Sequence, residues 1–227
     1  MSLEEKAIHT ILRFKVKPFI HKTAEVSKKA IIHNTAWIGP KVFIEDNVVI
    51  GAYTIIGSMP EHKDILDDTR LERVKGVFIG KNARIFELVT IHSGIEGETK
   101  IYSNAMVMQH SHIGHDAVIG ENATVGGNTQ FGGHSVLMPF ATLGLGCCVH
   151  QRVVIGAVSM VGMMGCVVKH IPPGQTWVGM PAKYIKENEV GRLRHGVRPE
   201  FYEPAFEKLV AESGLRKAQS SSSKSLS

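Results

Sequence analysis

Aliphatic residues recur every six positions along this chain, at Ile20, Val26, Ile32, Ile38, Ile44, Ile50 and Ile56. The register resumes at Ile79, Ile85 and Ile91. It resumes again at Ile101 and runs unbroken through Val107, Ile113, Ile119, Val125, Phe131, Leu137, Leu143, Val149, Ile155, Val161 and Val167. The position two before is usually small or β-branched, as at Ala24, Ala36, Thr54, Ala83, Ala105, Ser111, Ala117 and Ser135. Glycine often follows the aliphatic residue, as at Gly39, Gly51, Gly114, Gly120 and Gly144. A six-residue period fits neither an isolated α-helix nor a simple hairpin. It predicts an all-β solenoid in which each hexad gives one short strand and one turn. The aliphatic residue points inward, the small residue lets the corner close, and glycine supports backbone geometries that other residues resist. One such coil hides little surface, so stability comes from stacking coils.

Two interruptions and a change of pattern divide the chain. Residues 57–78 carry no hexad and are rich in charge, and four extra residues separate Ile91 from Ile101 around Gly94 to Glu98. Insertions in a solenoid become external loops, often at a binding face, so 57–78 is expected to be a lid or substrate clamp carrying Lys63, with a tolerated surface loop as the plain alternative. After Val167 the segment HIPPG (170–174) can end a coil by removing backbone donors. The expected organisation is a β-helix over 1–182 with the 57–78 insertion, a helical region over 183–217, and a disordered tail over 218–227. The helical region rests on the spacing of Tyr202, Phe206, Leu209 and Val210. The tail is polar and low in complexity. By similarity to hexapeptide-repeat proteins, three hexads form a triangular coil of eighteen residues, wound left-handed. That hand opposes the usual crossover rule, so it comes from the resemblance.

Composition narrows the class. Of 227 residues, 43% are hydrophobic and 7% aromatic, with 23 glycines, which fits a soluble fold of small aliphatic residues and many turns. A net charge of +5 is either a solvated surface or an attraction for a phosphate-bearing or acidic partner. No basic run is interleaved with aromatics, so nucleic acid is not an expected partner. No stretch is apolar enough for a membrane span. Met1 to Lys6 is followed by no signal-like apolar core. Cytoplasmic residence is therefore expected. Cys147, Cys148 and Cys166 are too few for a disulfide framework and are expected to be reduced core residues.

Histidine carries the candidate chemistry. There are twelve, and His92, His110, His112, His115, His134 and His150 fall in the second half of the solenoid. An eighteen-residue coil aligns such residues in columns roughly 4.8 Å apart from coil to coil. His92 is then expected to stack on His110, Gly133 on His115, Gln151 on Gly133, and His134 on Asp116. His115, Asp116, Gly133, His134, His150 and Gln151 should form one patch. Its chemical reading is a general-base imidazole with an orienting carboxylate and a glycine N–H placed to receive an oxyanion. Partly exposed surface histidines are the plain alternative. A metal reading is also open: His92, His110 and His115 resemble the zinc ligands of γ-class carbonic anhydrases, with the ligands contributed by neighbouring subunits and three histidines leaving a position for water.

From about Val42 to Gly196 the chain resembles the UDP-N-acetylglucosamine O-acyltransferases of lipid A biosynthesis. The segments that carry the resemblance are VTIHSG (89–94), HIGHDAVIG (112–120), GGHSV (132–136), VHQRVVIGA (149–157) and IPPG (171–174), with NEVGRLRHG (188–196) matching more loosely. The resemblance implies a homotrimer that moves an acyl group from an acyl carrier protein thioester to an amino-sugar nucleotide. It implies no bound cofactor, no resident metal and no covalent enzyme intermediate. It makes His115 the base, Asp116 its orienting partner and Gly133 the oxyanion donor. It assigns Lys63, His112, His134, His150, Gln151, Asn188 and Arg194 to substrate binding, with His195 near the same end. Met163 and Met164 fall where the family measures acyl length, and methionine there implies a short to medium chain, with ordinary core packing as the alternative. The chain departs from the family at Glu61, where an aspartate is expected two residues before the lysine. It departs again at Val190, where a carboxylate is usual. The segment VGMPAK (178–183) instead resembles the end of hexapeptide acetyltransferases that use acetyl-CoA, so a sugar N-acetyltransferase is the second expectation.

Overall fold

The computed structural model describes residues 17–61 and 73–214. It is a left-handed parallel β-helix of about eight turns followed by a short helical segment. Strands β1–β22 are two to four residues long and run from Phe19–Ile20 (β1) to Cys166–Val167 (β22). Consecutive strands belong to different sheets, and every third strand pairs in parallel with the one before. Three sheets result, of eight, seven and nine strands.

The hexad positions form the interior. From Ile38 to Val167 all are buried, and with the small residues two before them they make one continuous core. Each fully buried Ile or Val contributes on the order of 1.5–3 kcal/mol. The first coil differs, because Ile20 is exposed and Val26 and Ile32 are only partly buried. Inward-facing Ser and Thr bridge coils, as where Ser111 Oγ donates to the Gly126 carbonyl and accepts from the Thr129 N–H.

The corners are built otherwise than the glycine pattern implies. Left-handed backbone falls three residues after the aliphatic position, at Lys41, Asn47, Asn82, Asn104, His110, Asp116, Asn122, Asn128, His134 and Arg152 among others. Asn and Asp tolerate that region better than most residues. The glycines after the aliphatic position instead admit the next coil: a Cβ on Gly114 would lie 2.6 Å from the Gly133 nitrogen.

Coil length varies, and the variation moves the histidines. The regular spacing between stacked residues is eighteen, but Thr54 and Val89 are in contact across thirty-five. The 57–78 segment is shorter as an external loop than its sequence gap, since Gly57 and Ser58 end β7 (Ile55–Ser58) and Val77 and Phe78 begin β8 (Val77–Ile79). Lys63 lies outside the described residues. The four-residue insertion sets Thr90 against His112, twenty-two residues on. His92 therefore does not stack on His110, as a uniform period requires. It meets His112, with ring centroids 4.6 Å apart, while His110 is exposed at a corner.

HIPPG does not end the helix of strands. It shortens the spacing to sixteen, and β23 (Gln175–Val178) still pairs with β21 (Met160–Val161). Helix does not begin at 183: Lys183–Glu187 forms β24, antiparallel to β23. β24 thereby becomes the terminal strand of the nine-stranded sheet, beyond β23. Helix α1 (Glu189–His195), a 3-10 turn (Pro199–Tyr202) and α2 (Glu203–Glu212) follow. Tyr202, Phe206, Leu209 and Val210 pack on Met138, Val154, Ala157 and Val158, closing a second small core outside the prism. The 218–227 tail lies outside the described residues. No helix among the described residues is long and apolar enough to cross a membrane. Of the cysteines only Cys147 is in the core; Cys148 is exposed and Cys166 half-buried, because each immediately precedes a hexad position and so points outward.

Candidate active site

His115 follows β13 (His112–Ile113) at a corner, and its Nδ1 is 2.8 Å from Oδ2 of Asp116. Asp116 is held from the other side by the insertion. The Ile95, Glu96 and Gly97 amides donate to its carboxylate at 2.7–3.1 Å. Its own N–H donates to Thr99 Oγ1 at 2.9 Å. The four extra residues thus wrap an amide nest around one carboxylate, a concavity suited to an anion.

Burial is the largest single influence on Asp116 and would raise its pKa. The bonds from His115 and the amides of Gly97, Ile95 and Glu96 together outweigh it and hold the carboxyl at about 2. Asp116 is ionised near neutrality and can only accept hydrogen bonds. The proton in its bond with His115 therefore sits on Nδ1, and Nε2 is the ring nitrogen turned toward Gly133.

Gly133 lies one coil above. A Cβ there would lie 2.9 Å from His115 Nε2, so the absence of a side chain leaves room for the ring. Among the described residues the Gly133 N–H has no intramolecular acceptor. His134 stands edge-to-face to His115, centroids 5.0 Å apart, with its Nε2 3.8 Å from Asp116 Oδ2. Burial lowers the His134 pKa against the pull of Asp116.

His112 and His92 form the adjoining pair. Nδ1 of His112 is 2.8 Å from Thr90 Oγ1. Burial lowers both, His92 to about 4, and the Glu61 carboxylate at the edge of the external loop opposes the shift. His150 is exposed, its Nδ1 2.9 Å from the Gln151 carbonyl. It shares with His112, Gln130, Gly132, Cys148 and Cys166 a groove of about 380 Å³. Gln151 is exposed, and its backbone packs on Gly132.

The remaining expected residues lie elsewhere. Asn188 spends its side chain on structure: Nδ2 donates to the Val158 carbonyl at 2.7 Å and Oδ1 caps α1 at the Gly191 N–H. Arg194 is exposed on α1, and His195 packs on Phe140 at 5.1 Å. Met163 and Met164 are 69% and 63% exposed, which excludes them from the core. The residues that the sequence did not single out are Ile95, Glu96, Gly97 and Thr99. Their signal was the insertion itself, since extra residues beside an acidic corner can only fold outward over it.

His115, Asp116 and His134 are also the one group of three His, Cys, Asp or Glu donors that converges among the described residues. Within one chain His92, His110 and His115 do not converge, because the longer coil sends His110 to a different corner.

No protein-family model matches the chain. The acyl-[acyl-carrier-protein]--UDP-N-acetylglucosamine O-acyltransferase of Campylobacter concisus is 32% identical over 165 residues, 70% of this chain and 58% of that protein. The enzyme of the same name from Burkholderia thailandensis is 33% identical over 155 residues, 66% of this chain and 57% of that one. The chain thus spans less than two thirds of the length of the curated relatives it matches. The solved UDP-N-acetylglucosamine acyltransferase of Campylobacter jejuni superposes with a TM-score of 0.63 at 28% identity, over 86% of this chain and 87% of that one. In sequence and in fold, the chain is a hexapeptide-repeat left-handed β-helix protein that resembles the UDP-N-acetylglucosamine O-acyltransferases.

Proposed function

We propose that this chain is an acyltransferase that moves an acyl group from an acyl carrier protein thioester to a hydroxyl of an amino-sugar nucleotide. The observation that carries the reading is the dyad: an imidazole with its Nδ1 hydrogen-bonded to an ionised carboxylate and its Nε2 facing Gly133. A base positioned this way contributes about 10²–10⁴-fold. His115 Nε2 takes the proton of the acceptor hydroxyl as its oxygen attacks the thioester carbonyl. The Gly133 N–H receives the oxyanion of the tetrahedral intermediate. Collapse expels the carrier thiolate, which is protonated from His115, and no enzyme-bound acyl group forms.

His112, His134, His150 and Gln151 bind the nucleotide sugar in this reading. Lys63, Asn188 and Arg194 extend the binding surface in the same reading. Asn188 contributes by fixing α1, given its bonds to Val158 and Gly191. The protein acts in the cytoplasm as a homotrimer and needs no resident cofactor; relatives whose names carry both substrates support the reading.

The test is transfer by the full chain from acyl carrier protein thioesters of graded length to UDP-N-acetylglucosamine, followed by mass spectrometry, beside acetyl-CoA with amino- and hydroxy-sugar acceptors. Transfer from carrier protein that is lost in His115→Ala supports the reading. Transfer from acetyl-CoA alone, or an active His115→Ala, refutes it.

A further inference from the structure

We propose that His115, Asp116 and His134 form a binding site for a divalent transition-metal ion of the zinc type, and that occupation of this site silences the base. One ring nitrogen from each histidine and one Asp116 oxygen lie within 4.8 Å of one another. Asp116 Oδ2 is the hub, 2.8 Å from His115 Nδ1 and 3.8 Å from His134 Nε2. The two rings stand at 88° to each other, so their nitrogens approach the carboxylate from different directions.

Zinc binds imidazole nitrogen and carboxylate oxygen at about 2.0–2.2 Å, in a tetrahedron that sets ligand atoms roughly 3.3 Å apart. The observed separations from the hub bracket that spacing. Two imidazoles and a carboxylate, with water in the fourth position, form a donor set that zinc takes, whereas magnesium and calcium favour oxygen alone. The carboxylate is already fixed by the amides of residues 95–97, and such outer bonds orient a ligand and raise affinity.

The ion and the base exclude each other by tautomer as well as by space. The His115 proton now sits on Nδ1, toward Asp116. An ion bound at Nδ1 obliges the neutral ring to carry its proton on Nε2, the atom that would accept the substrate proton. This consequence rests on the function proposed above; the binding site itself does not.

Isothermal titration of zinc into untagged, chelator-treated full chain should show about one ion per chain. Cobalt(II) in its place should give the visible absorption of a four-coordinate site. Asp116→Asn and His134→Ala should each weaken binding about ten-fold or more. If His134→Ala fails to fold, His134→Gln carries the same test at similar volume. Zinc affinity unchanged in His134→Gln, or lost instead in Cys148→Ser or Cys166→Ser, overturns the site. Zinc bound at the site with acyl transfer unslowed overturns the silencing. A chain that transfers no acyl group even without zinc counts against the proposed function, while the titration still decides the site.

Discussion

Gly133 lies directly against the imidazole of His115, close enough that a Cβ at position 133 would stand 2.9 Å from Nε2. That spacing is tighter than side chains adopt, so Gly133→Ala must displace the ring or the coil. The ring is the softer element, being half-buried at the outside of a corner, while the coil is pinned by interior aliphatics. We expect Gly133→Ala to lower kcat about 10²-fold, the scale of a damaged oxyanion site, with the thermal midpoint little changed. Steady-state kinetics beside a melting curve would check this; a normal kcat would show that the ring does not work at that face.

Asp116→Asn removes the ionised acceptor that fixes the His115 tautomer. The same three loop amides would then face a neutral amide, a weaker acceptor. We expect activity to fall about 10²–10⁴-fold and stability to fall by about 2 kcal/mol near neutral pH. The pH dependence has a definite sign. The folded pKa, about 2, lies below the ordinary 3.8, so the stabilisation is present above pH 4 and is lost as pH falls from 4 toward 2. Urea midpoints of the two proteins at pH 6 and at pH 3 should therefore converge on acidification; a constant gap would refute the assignment.

The solenoid was legible because its interior obeys one rule at every hexad, from Ile38 to Val167, and because no other element has that period. Its corner columns were legible too, which is why Asp116 and His134 were expected together. The pairing of His92 was not. A uniform eighteen-residue coil stacks it on His110, and only counting the insertion as part of the coil sets Thr90 opposite His112 and brings the His92 ring beside that of His112. The amides that hold Asp116 were hidden for a related reason: backbone donors carry no residue type, so nothing in Ile95, Glu96 or Gly97 spells an anion nest. The strand at 183–187 was missed because its partner, β23, is created by a coil that HIPPG shortens but does not stop.

His92 is buried and neutral, and that has a cost in acid. Its pKa is pushed down to about 4 from 6.5, chiefly by burial and then by His112. Below pH 6.5 the unfolded chain takes up a proton that the folded chain refuses. Stability should therefore decline as pH falls from 6.5 to 4, by up to about 3 kcal/mol from this residue. His92→Gln should flatten that part of the stability curve. Denaturation midpoints at pH 7, 5.5 and 4 would show it, and parallel curves for the two proteins would exclude it.

Met163 and Met164 are exposed on the outer face of the coil, where they can meet a ligand or another subunit. If they end the acyl-binding groove, Met163→Gly opens room at its far end. The preferred donor should lengthen by two or more carbons, roughly 0.8 kcal/mol of transfer for each added methylene. Competition between carrier-protein donors of graded length would measure the shift. An unchanged chain preference would remove these methionines from the substrate path.

Gly94→Ala tests the insertion without replacing either residue of the dyad. A Cβ at position 94 would overlap the Gly97 carbonyl oxygen and lie 3.1 Å from Asp116 Oδ1. The loop must then shift, and the amides of residues 95–97 lose their hold on the carboxylate. His115 and Asp116 keep their own bond, so the base survives but its partner is less firmly held. We expect kcat to fall about ten-fold with KM unchanged, the pattern of an orienting defect and not of lost substrate binding. The acid side of the pH–rate profile should also move upward, because a carboxylate stripped of its amide bonds is protonated more readily. A rise in KM at constant kcat would instead mean that the insertion contacts the substrate itself.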